Sequence, residues 1–165
     1  MIDGGINILG DSRIENLKGL KKAELKAETM LIRIPMLSEV DKVLDWADIS
    51  LNSEISVIKS LSQEALKKKI VHRIILMIDL GDLREGIMPD DVLHMVGEVG
   101  KLPGVKLIGI GANFCCISGV MPTRKNLTKL VELTEEIENM FHLNLEVISG
   151  GQYQCIEISR RQPYS

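Results

Sequence analysis

Residues 71–78 read Val-His-Arg-Ile-Ile-Leu-Met-Ile, and this nearly continuous apolar run decides the fold class of the chain. A strand with one face in water alternates apolar and polar residues, whereas a strand covered on both faces is apolar along its length. Strands covered on both faces are typical of parallel sheets with helices packed against them. The run therefore predicts a buried strand of a parallel β/α fold.

Apolar runs of strand length alternate with segments of helical periodicity on both sides of this strand. The predicted strands lie near residues 6–9, 29–34, 48–51, 71–78, 104–110 and 143–148. About six strands thus alternate with about five helices, and each right-handed crossover between parallel strands needs a helix. Periodicity alone leaves two architectures open, an open doubly wound sheet and a β/α barrel. No Pro/Gly-rich linker interrupts the pattern, so a single unit is expected.

Helix ends carry their own signals. Thr123 is predicted to begin a helix that continues to Phe141, and Asn52 or Ser53 is predicted to cap the helix that follows the third strand. The run Lys67-Lys68-Lys69 is superficially similar to a DNA-binding patch. At the end of a helix, however, cations stabilise the negative end of the helix dipole, and this second interpretation is favoured.

Composition excludes several classes of function. The 165 residues include 20 Lys or Arg and 23 Asp or Glu, a formal net charge of −3, and 3% aromatic residues, a balance that disfavours nucleic-acid binding. No apolar stretch approaches the roughly 18 residues of a membrane span, and the N-terminus lacks the features of a signal peptide. Cys115, Cys116 and Cys155 do not have the spacing of metal ligands, and reduced thiols in a cytoplasmic protein are expected.

The loop after the fourth strand carries one candidate binding residue, Arg84, between Gly81 and Gly86. A guanidinium in such a loop binds a carboxylate or phosphate through two hydrogen bonds, or it forms a surface ion pair. Asp79 and Asp82 lie in the same loop, and we expect them to be solvated acids rather than metal ligands, because no further ligand lies at a suitable spacing. No metal site is predicted.

Two further candidate segments follow the fifth and sixth strands. Gly109-Ile110-Gly111 lacks the third glycine of a dinucleotide-binding motif, and Asn113 comes two residues later. Ser149-Gly150-Gly151 either offers backbone N–H groups to an anion or forms an ordinary turn.

Six segments taken together resemble one family, the alanine-racemase-like amino-acid racemases that use pyridoxal phosphate, and its ornithine-racemase branch in particular. The matching segments are GDSRIENL at 10–17, LIRIPM at 31–36, SLNSE at 50–54, LMIDLGDLREG at 76–86, GIGAN at 109–113 and ISGG at 148–151. The resemblance covers about residues 2–151. It implies part of a TIM-type (β/α)8 barrel of fold type III over residues 1–151, followed by a divergent tail at 152–165.

The resemblance also implies a chemistry and a set of site residues. Racemases of this family invert the α-carbon of a free amino acid, using a lysine that attaches the cofactor and a second base on the opposite face. By resemblance, Arg84 lies near the substrate carboxylate and a cofactor oxygen, and Asn113 lines the cofactor ring. Ser149, Gly150 and Gly151 lead into the phosphate-binding loop. Full-length members also carry a C-terminal β-domain and often act as dimers.

Departures from the family pattern limit what the chain is expected to do alone. The family's cofactor lysine precedes the segment that begins here near Ile6, and Lys18, Lys21 and Lys22 lie on a predicted helix surface. Tyr153 and Tyr164 match no motif for the second base. No catalytic residue is therefore assigned, and the chain is expected to be an inactive racemase segment truncated at both ends, with unpaired strand edges that favour aggregation.

Two other functions are open. The first is a non-catalytic pyridoxal-phosphate-binding homeostasis protein with the same barrel type. The second is an unrelated doubly wound protein that binds a phosphate-bearing ligand at Ser149-Gly150-Gly151.

Overall fold

The structure, a computed structural model, describes residues 6–83, 85–114, 123–152 and 158–159. The chain forms two compact units. The first consists of residues 1–74 and 102–106, and the second consists of residues 75–101 and 107–165.

In the first unit, three β/α repeats follow one another. Its elements are β1 (Ile8–Asp11), α1 (Ile14–Lys22), β2 (Glu28–Leu31), α2 (Val40–Trp46), β3 (Ile49–Asn52), α3 (Ile55–Lys67) and the start of β4 (His72–Met77). Strands β1 and β2 pair in parallel with Leu9 opposite Thr29, and β2 pairs in parallel with β3 with Met30 opposite Ile49. Helix α1 packs on β1, β2 and α2, and α2 packs on α3.

The second unit continues the alternation. Its elements are the rest of β4, α4 (Val92–Val99), most of β5 (Val105–Phe114), α5 (Arg124–Phe141), β6 (Val147–Gln152) and β7 (Ile158–Ser159). Strand β6 is parallel to β5, and the short β7 is antiparallel to β6. None of the described helices is both long and apolar enough to cross a membrane.

The strand order settles the choice between the two architectures. Strands β1 to β6 are parallel and follow one another in chain order, with five α-helices between them. A doubly wound sheet reverses its strand order at a switch point, and the described strands show no such reversal. The predicted α/β fold, part of a TIM-type barrel, is confirmed, and the two-residue antiparallel β7 is an addition that periodicity did not predict.

The end of the sixth strand was predicted in the wrong place. Strand β6 runs from Val147 to Gln152, not from 143 to 148, because helix α5 continues to Phe141 and ends at His142 with φ of 53°. The chain then needs residues 143–146 to reach the sheet. The backbone N–H of Leu145 binds the Glu138 carboxylate at 3.0 Å, and the N–H of Glu146 starts the ladder to Ile108 at 2.7 Å.

The sequence predicted the N-cap residues of two helices, α3 and α5. Thr123 caps α5 as predicted, since its hydroxyl accepts a hydrogen bond from the N–H of Asn126 at 3.2 Å. The predicted capping of α3 by Asn52 or Ser53 is wrong: the N-cap is Glu54, without a side-chain cap bond. Asn52 instead points into the protein, fully buried, and donates from Nδ2 to the carbonyl and hydroxyl oxygens of Ser50 at 3.0 and 2.9 Å.

Asp48 joins α1, β2 and the start of β3 in the first unit. Its carboxylate accepts hydrogen bonds from Lys21 Nζ at 2.5 Å and from the Thr29 backbone N–H at 2.8 Å. Burial raises the pKa of Asp48, but the bonds from Lys21 and Thr29 outweigh it, and the pKa lies below its ordinary value. The ionised carboxylate therefore stabilises the folded unit above the pKa that Asp48 has in the unfolded chain.

Arg33 joins the ends of β1 and β2. Its Nε donates to the carbonyl oxygen of Ser12 at 2.8 Å, and its guanidinium pairs with the Glu39 carboxylate at 2.8 Å. The hydrogen bond from Arg33 holds the pKa of Glu39 below its usual value. Arg33 thus connects the segment after β1 with the segment after β2. Its guanidinium stays charged at all physiological pH values.

His72 is a buried imidazole at the start of β4. It is 3% exposed, and its Nε2 lies 2.9 Å from the Ser50 hydroxyl. Burial lowers its pKa to about 4, and the nearby Asp48 only partly offsets this effect. His72 is therefore neutral in the folded protein at neutral pH.

His72→Gln tests the energetic consequence of this burial. The pKa of about 4 in the folded state lies below the ordinary value of 6.5, so the unfolded chain binds more protons between pH 6.5 and pH 4. The free energy of unfolding of the wild type should then be retained above pH 6.5 and fall by about 2 kcal/mol from pH 7 to pH 5. Urea unfolding of His72→Gln at both pH values should lack most of this fall, whereas His94→Gln, at an exposed position of α4, should keep it. An equal fall in His72→Gln and wild type would contradict the prediction.

Candidate functional site

The loop that follows β4 returns to the strand it leaves. The N–H of Asp79 donates to the carbonyl of Ile87 at 2.9 Å, and the N–H of Ile87 donates to the carbonyl of Met77 at 2.8 Å. Inside the loop, Asp79 Oδ1 accepts the N–H groups of Gly81 and Leu83 at 2.8 and 3.2 Å. The loop is therefore closed at its base and supported from within by one carboxylate.

One acid of this loop is buried, contrary to the sequence-based expectation. Asp82 is 2% exposed, whereas Asp79 is half-buried and bonded to the loop backbone. Among the described residues, no three His, Cys, Asp or Glu side chains are grouped to hold a metal ion.

Gly86 is the residue that closes the loop. Its φ of +144° is disfavoured for residues with a side chain, and an added Cβ would lie 2.4 Å from the backbone nitrogen of Asp79. Backbone atoms cannot move aside as a flexible side chain can. The close approach of Gly86 to Asp79 therefore requires glycine, and it fixes the position of the neighbouring Glu85.

Strands β5 and β6 bring the other predicted residues together. In their parallel register, Gly111 lies opposite Ser149 and Asn113 lies opposite Gly151. Side chains alternate between the two faces of a strand, so the side chains of Asn113 and Ser149 lie on one face. Gly111 lies on the same face, where an added Cβ would be 3.2 Å from the Ser149 Cβ and from Met77 Sδ. On this face the backbone of Gly111 lies against the side chains of Met77 and Ser149, and we call the face the β5–β6 floor.

Gly150 belongs to the opposite face. A Cβ added there would lie 2.9 Å from Leu127 and 3.8 Å from Leu130, both of which are on α5. A side chain at 150 would therefore have to displace the end of the Leu127 side chain of α5. The structure also places residues 149–151 within β6 and not in a turn after it, so these residues do not form the convergent N–H groups of a turn.

The Asn113 side chain is held from the loop after β4. Its Nδ2 donates to Glu85 Oε1 at 2.7 Å, and both side chains are half-buried. Arg84 was the residue of this loop that the sequence predicted to bind, and the pairing of Glu85 with Asn113 was not predicted. The signal was available in principle, because β4 and β5 are neighbouring strands whose carboxyl ends meet at one edge. Arg84 lies outside the described residues, so its predicted role stays a prediction.

A groove of about 760 Å³ lies beside the same loop but does not include the β5–β6 floor. It is lined by Asp79, Leu80, Gly81, Met88, Pro89 and the first turns of α5. Asn113 and Ser149 are not among its lining residues. The groove is therefore a different feature from the predicted site.

Comparison with known proteins identifies the family. The family model described as "Alanine racemase, N-terminal domain" matches residues 1–152. This chain belongs to the alanine racemase N-terminal domain family. The resemblance found in the sequence is confirmed, and pyridoxal phosphate is the cofactor of this family.

Two curated relatives are similar over most of the chain. The ornithine racemase of Acetoanaerobium sticklandii is 43% identical over 152 residues, which is 92% of this chain and 42% of that protein. The lysine racemase of Thermotoga maritima is 38% identical over 147 residues, which is 89% of this chain and 41% of that protein. The chain thus spans about two fifths of the length of these relatives.

Solved structures agree with the fold. The alanine racemase of Clostridium difficile 630 superposes with a TM-score of 0.74 at 11% identity, covering 88% of this chain and 41% of that one. PipY of Synechococcus elongatus PCC7942 with pyridoxal phosphate bound superposes with a TM-score of 0.74 at 17% identity, covering 93% and 74%. At these identities the likeness shows the fold alone.

Glycine at 109 and at 111 lets neighbouring groups lie close to the β5–β6 floor. A Cβ at 109 would lie 2.2 Å from the Val147 carbonyl, and one at 111 would lie 3.2 Å from Met77 Sδ and from the Ser149 Cβ. Asn113 and Ser149 are half-buried polar residues on this face, and a cofactor ring with polar edges requires such groups. The described residues show no phosphate-binding loop, because the chain that follows Gln152 up to residue 157 lies outside them.

Gly86→Ala tests the importance of the closed loop. The positive φ and the contact with Asp79 should destabilise the folded state by about 3 kcal/mol or more. Gly97→Ala is the matched control, because its Cβ would meet only the Phe141 ring at 3.6 Å within helix α4. It should be neutral or stabilise the protein by up to about 1 kcal/mol. Chemical unfolding of both variants checks the prediction, and equal stability of Gly86→Ala and wild type would refute it.

Proposed function

We propose that this chain is the cofactor-binding barrel segment of a pyridoxal-phosphate-dependent racemase that inverts the α-carbon of a free basic amino acid. The observation that carries the proposal is the identity of 43% and 38% to an ornithine and a lysine racemase over about nine tenths of the chain. The β5–β6 floor lies within that matched region, and its Asn113 and Ser149 side chains offer polar groups to a cofactor.

Several residues of this chain would hold the cofactor and substrate. Asn113 and Ser149 offer hydrogen bonds at the edge of the ring, and Gly150 and Gly151 continue the strand towards the phosphate. Arg84 would bind the substrate carboxylate or a cofactor oxygen, because a guanidinium forms two parallel hydrogen bonds with such groups. When bound, the cofactor withdraws electrons from the α-carbon and so makes its proton removable. The protein groups bind and orient the reactants.

Covalent attachment of the cofactor is not expected in this chain alone. In the described part of the second unit, the lysines are Lys101, which pairs with Glu98, and Lys125 and Lys129 on α5. None of these lies on the β5–β6 floor. We therefore propose that the 165-residue chain binds pyridoxal phosphate without a covalent bond and does not racemise amino acids by itself.

A non-catalytic pyridoxal-phosphate-binding protein is the second candidate. The likeness to PipY, whose solved structure contains the cofactor and of which the chain covers 74%, favours it. Only the first candidate requires that this segment supports racemisation when it is joined to the rest of a racemase.

Reduction with borohydride tests the noncovalent binding. After incubation of the chain with pyridoxal phosphate, equilibrium dialysis should detect a complex. Borohydride followed by mass spectrometry should find no stoichiometric label on a lysine, since no lysine in the described part of the second unit lies on the floor. A stoichiometric label on one lysine would show that covalent attachment occurs and that our proposal is wrong on this point.

A chimera tests the catalytic proposal. Residues 1–152 of this chain would replace the matched segment of the A. sticklandii ornithine racemase, and the product should interconvert the two enantiomers of ornithine or lysine. In the chimera, Arg84→Ala should lower kcat/KM on the order of 100-fold, because it removes a charged hydrogen-bond donor from the reacting complex. Glu136→Gln, an exposed position on α5, is the matched control and should leave kcat/KM unchanged. A folded chimera that binds the cofactor but racemises no amino acid would favour the non-catalytic candidate.

A further inference from the structure

Glu85 and Asn113 form a contact between two segments that the family resemblance treats separately. Asn113 ends β5, and Glu85 lies in the loop after β4. The distance from Nδ2 of Asn113 to Oε1 of Glu85 is 2.7 Å, which is within the range of an N–H···O hydrogen bond. The two side chains are half-buried, so water competes for this bond less than at an exposed site.

The chemistry of the pair determines the orientation of the amide. An ionised carboxylate only accepts hydrogen bonds, so it binds the NH₂ end of Asn113 and repels the carbonyl end. Without such a partner, an asparagine side chain can rotate its amide by half a turn and exchange donor and acceptor. Glu85 therefore selects one of two orientations of Asn113.

The backbone that follows Glu85 is restrained by a close contact and by hydrogen bonds. The next residue, Gly86, packs against the backbone of Asp79 where no Cβ fits, and Ile87 is hydrogen-bonded to β4 in both directions. On the other side of the loop, Asp79 binds the N–H groups of Gly81 and Leu83. A side chain that begins from such an anchored position directs its carboxylate with little loss of conformational entropy.

We infer that Glu85 is a positioning residue, which holds the Asn113 amide in one orientation beside the β5–β6 floor and so prepares it to bind the cofactor ring. The inference rests on the proposed function for the identity of the ligand. The Glu85–Asn113 hydrogen bond itself does not depend on the proposed function, because it forms in the protein without any ligand. Glu85 acts through Asn113, so its effect on binding should depend on the presence of Asn113.

A double-mutant cycle on the 165-residue chain tests this dependence. The dissociation constant for pyridoxal phosphate would be measured by equilibrium dialysis for wild type, Glu85→Ala, Asn113→Ala and the double variant. We expect Glu85→Ala to weaken binding about 10-fold, in keeping with the loss of one charge-assisted hydrogen bond. In the Asn113→Ala background, the same change should have less than a 2-fold effect.

Two further variants separate positioning from charge and from folding. Glu85→Gln keeps the size of the side chain and an acceptor but also offers a donor, so both amide orientations become possible, and binding should weaken about 3-fold. Glu132→Ala, at an exposed position on α5, removes the same charge elsewhere in the second unit and should leave binding unchanged. The Asn113 side-chain NH₂ resonances, measured without cofactor, should shift in Glu85→Ala and Glu85→Gln and should not shift in Glu132→Ala.

The outcomes are distinguishable. An undisturbed Asn113 resonance in Glu85→Ala, or equal effects of Glu85→Ala with and without Asn113, would overturn the inference. A wild-type chain that binds no cofactor would overturn the proposed function, and the resonances would still decide whether Glu85 orients Asn113. A shift of the resonances together with non-additive binding would support both.

Discussion

The parallel register of β5 against β6 is the constraint on which the candidate site depends. It places Asn113 opposite Gly151 and Gly111 opposite Ser149, residues that are 38 positions apart in the chain. A shift of one residue would move the side chains of one strand to the opposite face, and Asn113 and Ser149 would then no longer share a face. On the opposite face of the sheet, Leu127 of α5 packs against Gly150.

The glycines of the second unit have different physical reasons, although in the sequence they look alike. Gly86 supplies a positive φ and a close approach of two backbones, and Gly150 lies against the Leu127 side chain of α5. Gly111 lies on the β5–β6 floor, beside which we propose that the cofactor binds. In this protein, therefore, some glycines of the family motifs are explained by packing.

In the first unit, two polar residues at strand starts, Asp48 and His72, contact other polar groups of the protein. Asp48 is bonded to Lys21 and Thr29 at the start of β3, and His72 is kept neutral by burial beside Ser50. Asp48 and His72 lie at the amino-terminal ends of their strands, where conserved chemistry in barrels of this type serves stability and not catalysis. The candidate binding residues lie at the opposite ends of β5 and β6. The polar contacts of the first unit thus lie at the amino-terminal ends of β3 and β4, and the candidate binding residues lie towards the carboxyl ends of β5 and β6.

The sequence by itself determined the class of fold, because the period of the apolar residues near 71–78 and its alternation with helical segments are local properties of the chain. It also determined the N-cap at Thr123 and the family, because both depend on residues that are close in the chain or occur in a fixed order. The position of β6 was wrong, because the end of α5 at His142 and the residues needed to reach the sheet depend on tertiary packing. Asp82 was wrongly expected to be solvated, since its burial is decided by what folds over the loop. Only the tertiary structure joined Glu85 to Asn113. These residues are 28 positions apart, and no local pattern records a hydrogen bond between the ends of two neighbouring parallel strands.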